Sequence, residues 1–203
     1  MLRLSGPALP PILAAHAPRP KTTWAVLMAR VDAVIAGLGT TRRRLIADGE
    51  RFDAARFVQQ PPGGGWSAGQ LFEHLARVES SIVRGGRKAL ETGSRTRRTA
   101  RDRIVQLMFW RGDLARFVRV RTPAAADPVE PLGREAAFAR VAAVRVETLA
   151  LLNEVRDRDL GGLCLRHPVF GGLLWMDMME WIGWHEERHH RQLVRVGRAL
   201  GVA

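Results

Sequence analysis

The sequence predicts an all-α protein, a four-helix bundle. Three observations carry that reading: four long segments with apolar residues at three- and four-residue steps, no convincing alternating strand pattern, and helix-start and turn chemistry between the segments. In the first helix, Trp24, Leu27, Val31, Val34, Leu38 and Leu45 mark one face. Gly37 and Gly39 weaken that helix without ending it. The second helix opens in GGGWSAGQLFEHL. Ser67 is its N-cap, Gln70 completes a Ser-x-x-Gln capping box, and Trp66 and Leu71 are placed to staple across the cap. Its stripe then runs Leu71, His74, Val78, Ile82, with a histidine in a core-facing slot.

From Arg84 to about Arg121 the periodicity blurs; Ile104, Leu107, Met108, Leu114 and Phe117 suggest a short helix among arginines. TPAAADPVEP reads as an extended linker. A third helix is predicted from Arg134 to Val155, with Phe138, Val141, Val144, Leu149, Leu152 and Val155 inward. A turn at Asp159 to Gly162 and the stretch LCLRHPVFGG lead to a last helix from about Leu173 to Leu200. Its stripe is Leu174, Met178, Trp181, His185, His189, Gln192, Val196, Leu200. Both His185 and His189 therefore lie on the buried seam, and His190, about 100° around the helix, faces elsewhere.

The bulk numbers bound the rest. At 203 residues with 46% apolar and 26% charged side chains, the chain is globular and fits one domain. We divide it into a flexible leader over 1–22, interrupted by Pro7, Pro10 and Pro11, and a single domain over 23–203; Met28 stands close to where order should begin. Cys164 is the only cysteine, which excludes a disulfide framework and a cysteine-based zinc site and suits a reducing, cytoplasmic setting. No apolar run reaches the length of a membrane span. The net charge is +12, and all basic residues but Lys21 and Lys88 are arginine, a skew that fits a GC-rich bacterial genome better than phosphate binding. The segment 77–121 holds 13 basic and 4 acidic residues; it reads as a solvated connection, and an anionic substrate ranks ahead of a membrane surface or nucleic acid as its partner.

WHEERHHRQL contains His-Glu-x-x-His literally, the zinc-peptidase pattern in which the glutamate is the general base. That reading fails for want of a third ligand downstream. No acid follows His189, His190 points the wrong way, and Arg195 stands where the extended pattern places a histidine. Of the upstream histidines, His16 lies in the leader and His167 in a loop, whereas His74 faces the core. Single core histidines are usually just hydrogen-bonded residues. Three on facing stripes, with Gln192 one turn beyond, instead describe a three-histidine metal site with positions left open for water or substrate.

WSAGQLFEHLARVE and, about a hundred residues on, HPVFGGLLWMDMMEWIGWHEERHHRQL closely resemble the DinB/YfiT-like superfamily, over roughly residues 24–198. The resemblance implies an up-down-down-up bundle in which His74, His185 and His189 bind a divalent metal, zinc or nickel. A Thr or Asn cap often begins the last helix of such proteins; Gly171 and Gly172 precede Leu173 here, leaving that start less defined. It also implies an enzyme, either a transferase that uses a low-molecular-weight thiol against small electrophiles or a metal-dependent hydrolase. A non-enzymatic stress-related module docking through segment 77–121 is the reading of another class. Candidate accessory residues are Arg77, one turn after His74, to receive a thiol carboxylate, and Glu186 as a base. As helix-surface positions, Glu186, Glu73 and Arg77 are also expected to be plainly solvated. His167 is read as supporting the ligands or capping its loop, and Cys164 as a buried apolar residue. A homodimer through exposed faces is expected of such bundles, with no interface legible.

Overall fold

The computed structural model describes residues 21–93, 98–104, 127–128, 131–167 and 170–202. Four long helices form a bundle: α1 (Lys21–Glu50), α3 (Ala68–Thr92), α4 (Arg134–Glu154) and α5 (Trp175–Ala199). A short helix, α2 (Ala54–Val58), follows α1, and a hairpin of β1 (Cys164–His167) and β2 (Gly171–Leu174) precedes α5. Residues 1–20 of the expected leader lie outside the described residues, as do 94–97 and 105–121 of the basic segment, the latter holding the short helix expected around Leu107 to Phe117; residues 21 and 22, counted with the leader, already belong to α1. No helix among the described residues is long and apolar enough to cross a membrane.

Cross-helix contacts fix the directions. Arg30 reaches Asp177 and Glu180, Arg42 reaches Glu186 and Asp48 meets His190, so α1 and α5 run in parallel. His74 meets His185 while the Trp175 indole donates to the Gly86 carbonyl at 3.0 Å, so α3 runs against α5. Arg145 pairs with Glu79 and Arg87 with Glu154, so α3 and α4 run together. The arrangement is up-down-down-up, as the sequence predicts. α1 is continuous through Gly37 and Gly39, and Val31, Val34, Leu38 and Leu45 are all buried on its inner face.

The start of α3 is built as its sequence dictates. The Ser67 hydroxyl accepts from the Gln70 amide at 3.2 Å, and the Gln70 side chain accepts from the Ser67 amide at 3.0 Å. The box supplies orphan donors of the first turn and fixes where the helix begins, hence where residue 74 falls. Gly69 lies where a Cβ would stand 2.4 Å from the Leu132 carbonyl oxygen, so its lack of a side chain lets the approach to α4 cross α3 closely.

Three features depart from the prediction. α2 is new: Asp53 caps it by accepting from the Arg56 amide at 2.7 Å, and its Phe57 packs among Phe52, Phe72 and Phe138. The hairpin replaces the expected loop and the first two residues of the expected last helix, with Leu165 opposite Leu173 and His167 opposite Gly171. Gly171 sits at φ 70°, and a Cβ there would meet Asp102 Oδ1 at 2.0 Å, so no other residue fits the turn as built. Third, the apolar core is split in two. One cluster surrounds Trp175, Met179, Leu151 and Val31, and the other surrounds Phe57, Phe72, Leu45 and Leu193.

Candidate metal centre

The histidines sit on the two antiparallel helices α3 and α5. His74 lies in the second turn of α3, and His185 and His189 are one turn apart on α5, so both face the same groove. Their Nε2 atoms converge. His185 Nε2 is 3.2 Å from His74 Nε2 and 3.1 Å from His189 Nε2. Three ligating nitrogens lie within 4.8 Å of one another, and this is the metal-capable cluster among the described residues. Adjacent ligands on bonds of ~2.1 Å are separated by about 3.4 Å in tetrahedral geometry and about 3.0 Å at right angles. The two measured separations fall between those values. The donor set suits a divalent cation.

Burial favours the neutral form of His185 and His189. His74 is 3% exposed and His189 8% exposed. His185 is partly buried as a residue, but its ring is enclosed; burial, followed by the His189 and His74 charges it would face, holds it well below the usual histidine range. Burial likewise pulls His189 down to about 3, with the opposing His74 adding to the effect. Gln192 Oε1 lies 3.1 Å from His189 Nδ1; since an amide oxygen only accepts, this contact calls for the ring proton on Nδ1 and leaves the Nε2 lone pair facing the cluster. Two indoles wall the site. Trp66 stacks over His189 with centroids 6.0 Å apart and packs on His74 at 4.7 Å, while Trp181 stacks on His185 at 4.4 Å. Trp66, predicted as a staple residue, belongs to the same apolar cluster as Leu71 and also roofs the imidazoles.

Glu186 corrects the surface expectation. It is 1% exposed and points toward α1 and α4, where Thr41 and Arg42 of α1 and Arg145 of α4 donate to its carboxylate. Glu79 completes the set, accepting from Arg42, Arg145 and Thr148. These residues form a charge-balanced layer across the bundle between the two apolar clusters. Two arginines face two glutamates, and the guanidiniums hold the Glu79 carboxyl below its usual range against the cost of burial. Sequence reading missed this layer; the signal on α4 was Arg145 with Thr148 three residues on, two polar residues on an inner side that is otherwise apolar. Glu73 is also buried rather than solvated, at 6% exposure, and Arg77 is engaged by it through Nε and Nη2 at 2.9 and 2.6 Å. Arg77 is thus tied to its own helix.

The remaining candidates fall as follows. The His167 Nδ1 accepts from the Phe170 amide at 3.2 Å, the loop-capping role, and its ring packs edge-on against Trp181 at 4.5 Å. Burial pulls His167 down to about 4. Cys164 is buried at 4% exposure. His190 faces away from the cluster and holds Asp48 at 2.6 Å.

Fold and site together define a class: an up-down-down-up helical bundle with three imidazoles gathered between its second and last long helices. The family model of the DinB superfamily matches residues 37–193, and the chain belongs to that superfamily. No curated protein and no solved structure matches the chain.

Proposed function

We propose that the protein is a metal-dependent enzyme in which His74, His185 and His189 hold zinc or nickel, and that it transfers a low-molecular-weight thiol to small electrophiles. The observation that carries the reading is the convergence of three inward Nε2 atoms at 3.1–3.2 Å, with the tautomer of His189 set by Gln192. A divalent cation at that point supplies Lewis acidity, which brings a thiol or a water to its anionic form near neutral pH. The protein's own residues do the rest. Trp66 and Trp181 cover the rings and limit water, and Gln192 keeps one ring oriented. In the transfer, sulfur bonds to the electrophilic carbon, the leaving group departs with its electron pair, and the thiol proton passes to solvent. Glu186 is proposed as a structural residue rather than a base, because its carboxylate is engaged by two guanidiniums and a hydroxyl. Segment 77–121 needs no nucleic-acid partner in this reading.

The test is a panel of thiols with a bromobimane-type electrophile and, in parallel, activated esters, each with and without a chelator. Chelator-sensitive consumption of at least one thiol is expected. Ester cleavage without thiol consumption would move the same site to hydrolysis, and activity indifferent to both chelator and His185→Ala would end the metal-dependent reading.

A further inference from the structure

Between the imidazoles and the ionic layer lies a small internal cavity. Its apolar lining includes Val78 and Ile82 of α3 and Ile182 of α5, and three polar side chains, Glu79, His185 and Glu186, also border it. It offers about 10 Å³ of room, enough for one water molecule and too little for a substrate. Purely aliphatic cavities stay dry, whereas a cavity with polar walls holds ordered water where two or more partners are within reach.

Two of the polar groups have hydrogen-bonding capacity to spare. A neutral imidazole carries one N–H, so when Nε2 of His185 serves as a ligand the proton sits on Nδ1. Among the described residues the hydrogen-bond contacts of His185 both run through Nε2, so Nδ1 lacks the partner that Gln192 gives His189. On the other side of the cavity, a carboxylate oxygen has two lone pairs. Each oxygen of Glu79 meets two donors, as does Glu186 Oε2. Glu186 Oε1 meets Arg42 Nε alone.

We propose that this cavity holds one ordered water that accepts from the Nδ1–H of His185 and donates to Oε1 of Glu186, which makes Glu186 a positioning residue for its neighbour's ring. The ionic layer then does for His185, through a water, what Gln192 does for His189 directly: it fixes tautomer and ring orientation. This deepens the metal reading above and rests on it for the cation; the water site itself does not.

The test uses the full chain with labelled methyl groups. In the metal-free protein, nuclear Overhauser signals at the water frequency should reach the Ile82 and Ile182 methyls, as a long-lived internal water gives. They should vanish in Val78→Ile, or in Val78→Met if the first variant does not fold, because the added carbon takes the water's place. In a zinc competition titration the filled variant should bind about tenfold to a hundredfold more weakly than wild type, the usual cost of losing the partner of a ligating histidine. Val78→Ala, which leaves the cavity open, should bind zinc as wild type does. No water signal at the two isoleucines overturns the site, and zinc affinity unchanged once that signal is gone overturns the positioning role. Failure of wild-type protein to bind zinc overturns the metal reading instead, and the water signal then still decides the site.

Discussion

Two polar clusters are buried in this bundle, a few residues apart on α5, and they are finished to different degrees. In the ionic layer, Arg42, Glu79, Arg145 and Glu186 balance each other's charge, and Thr41 and Thr148 add donors to the carboxylates. In the imidazole cluster three rings present nitrogens to one another, and the one fixed proton, on His189, points outward to Gln192. The first is closed by the protein itself. The second is a group of three histidines that could hold a metal ion. Neighbouring residues 185 and 186 therefore face different ways: one turns toward His74 of α3, the other toward Arg42 of α1 and Arg145 of α4.

The largest expected effect comes from opening the closed cluster. Arg145→Ala leaves Glu79 and Glu186 with a single shared guanidinium, and chemical denaturation should report a loss of about 3–5 kcal/mol. Next, His189→Ala should lower zinc affinity by roughly a hundredfold or more in a competition titration, since each ligand carries several kcal/mol of the binding energy. The same variant should cost the metal-free protein less than Arg145→Ala does, about 1–2 kcal/mol, because it opens a cavity but strands no buried charge. If the two variants had equal effects on stability and on zinc, the contrast between the clusters would collapse.

A pH experiment sharpens the boundary between them. His167 lies beyond Trp181, with a folded-state pKa of about 4 against an ordinary 6.5. A histidine held neutral by burial is favoured in the fold at high pH, so its contribution is intact above about 6.5 and is lost as pH falls toward 4. Metal-free wild type should lose up to about 3 kcal/mol more over that window than His167→Asn, measured by urea titration at each pH. Smaller still, Gln192→Leu should weaken zinc binding by about tenfold to a hundredfold while leaving the fold intact. Smallest, Asp48→Asn removes a partly exposed pair with His190 and should cost less than about 1 kcal/mol, with no change in zinc affinity.

The imidazole cluster was legible in the sequence because each of its histidines lies on a helical stripe that apolar neighbours also mark, and the Ser67–Gln70 box fixes the phase of α3. The ionic layer was not, because its charges meet across sequence separations of 37 to 144 residues and a glutamate on a helix reads as solvated until its partners are known. The Glu in His-Glu-x-x-His was accordingly misplaced at the surface. The five-residue α2 is too short to show periodicity, and the four-residue strands carry two glycines and no alternation, so neither declared itself. The start of α5 moved from Leu173 to Trp175 for the same reason: β2 takes the two residues that an apolar run alone assigns to the helix.

X-ray absorption at the metal edge of freshly purified, zinc- or nickel-loaded protein tests the central claim most directly. The account predicts about one metal per chain, three imidazole nitrogens among its ligands, and loss of the metal in His74→Ala. A shell dominated by carboxylate oxygens, or one that His74→Ala leaves unchanged, would contradict it.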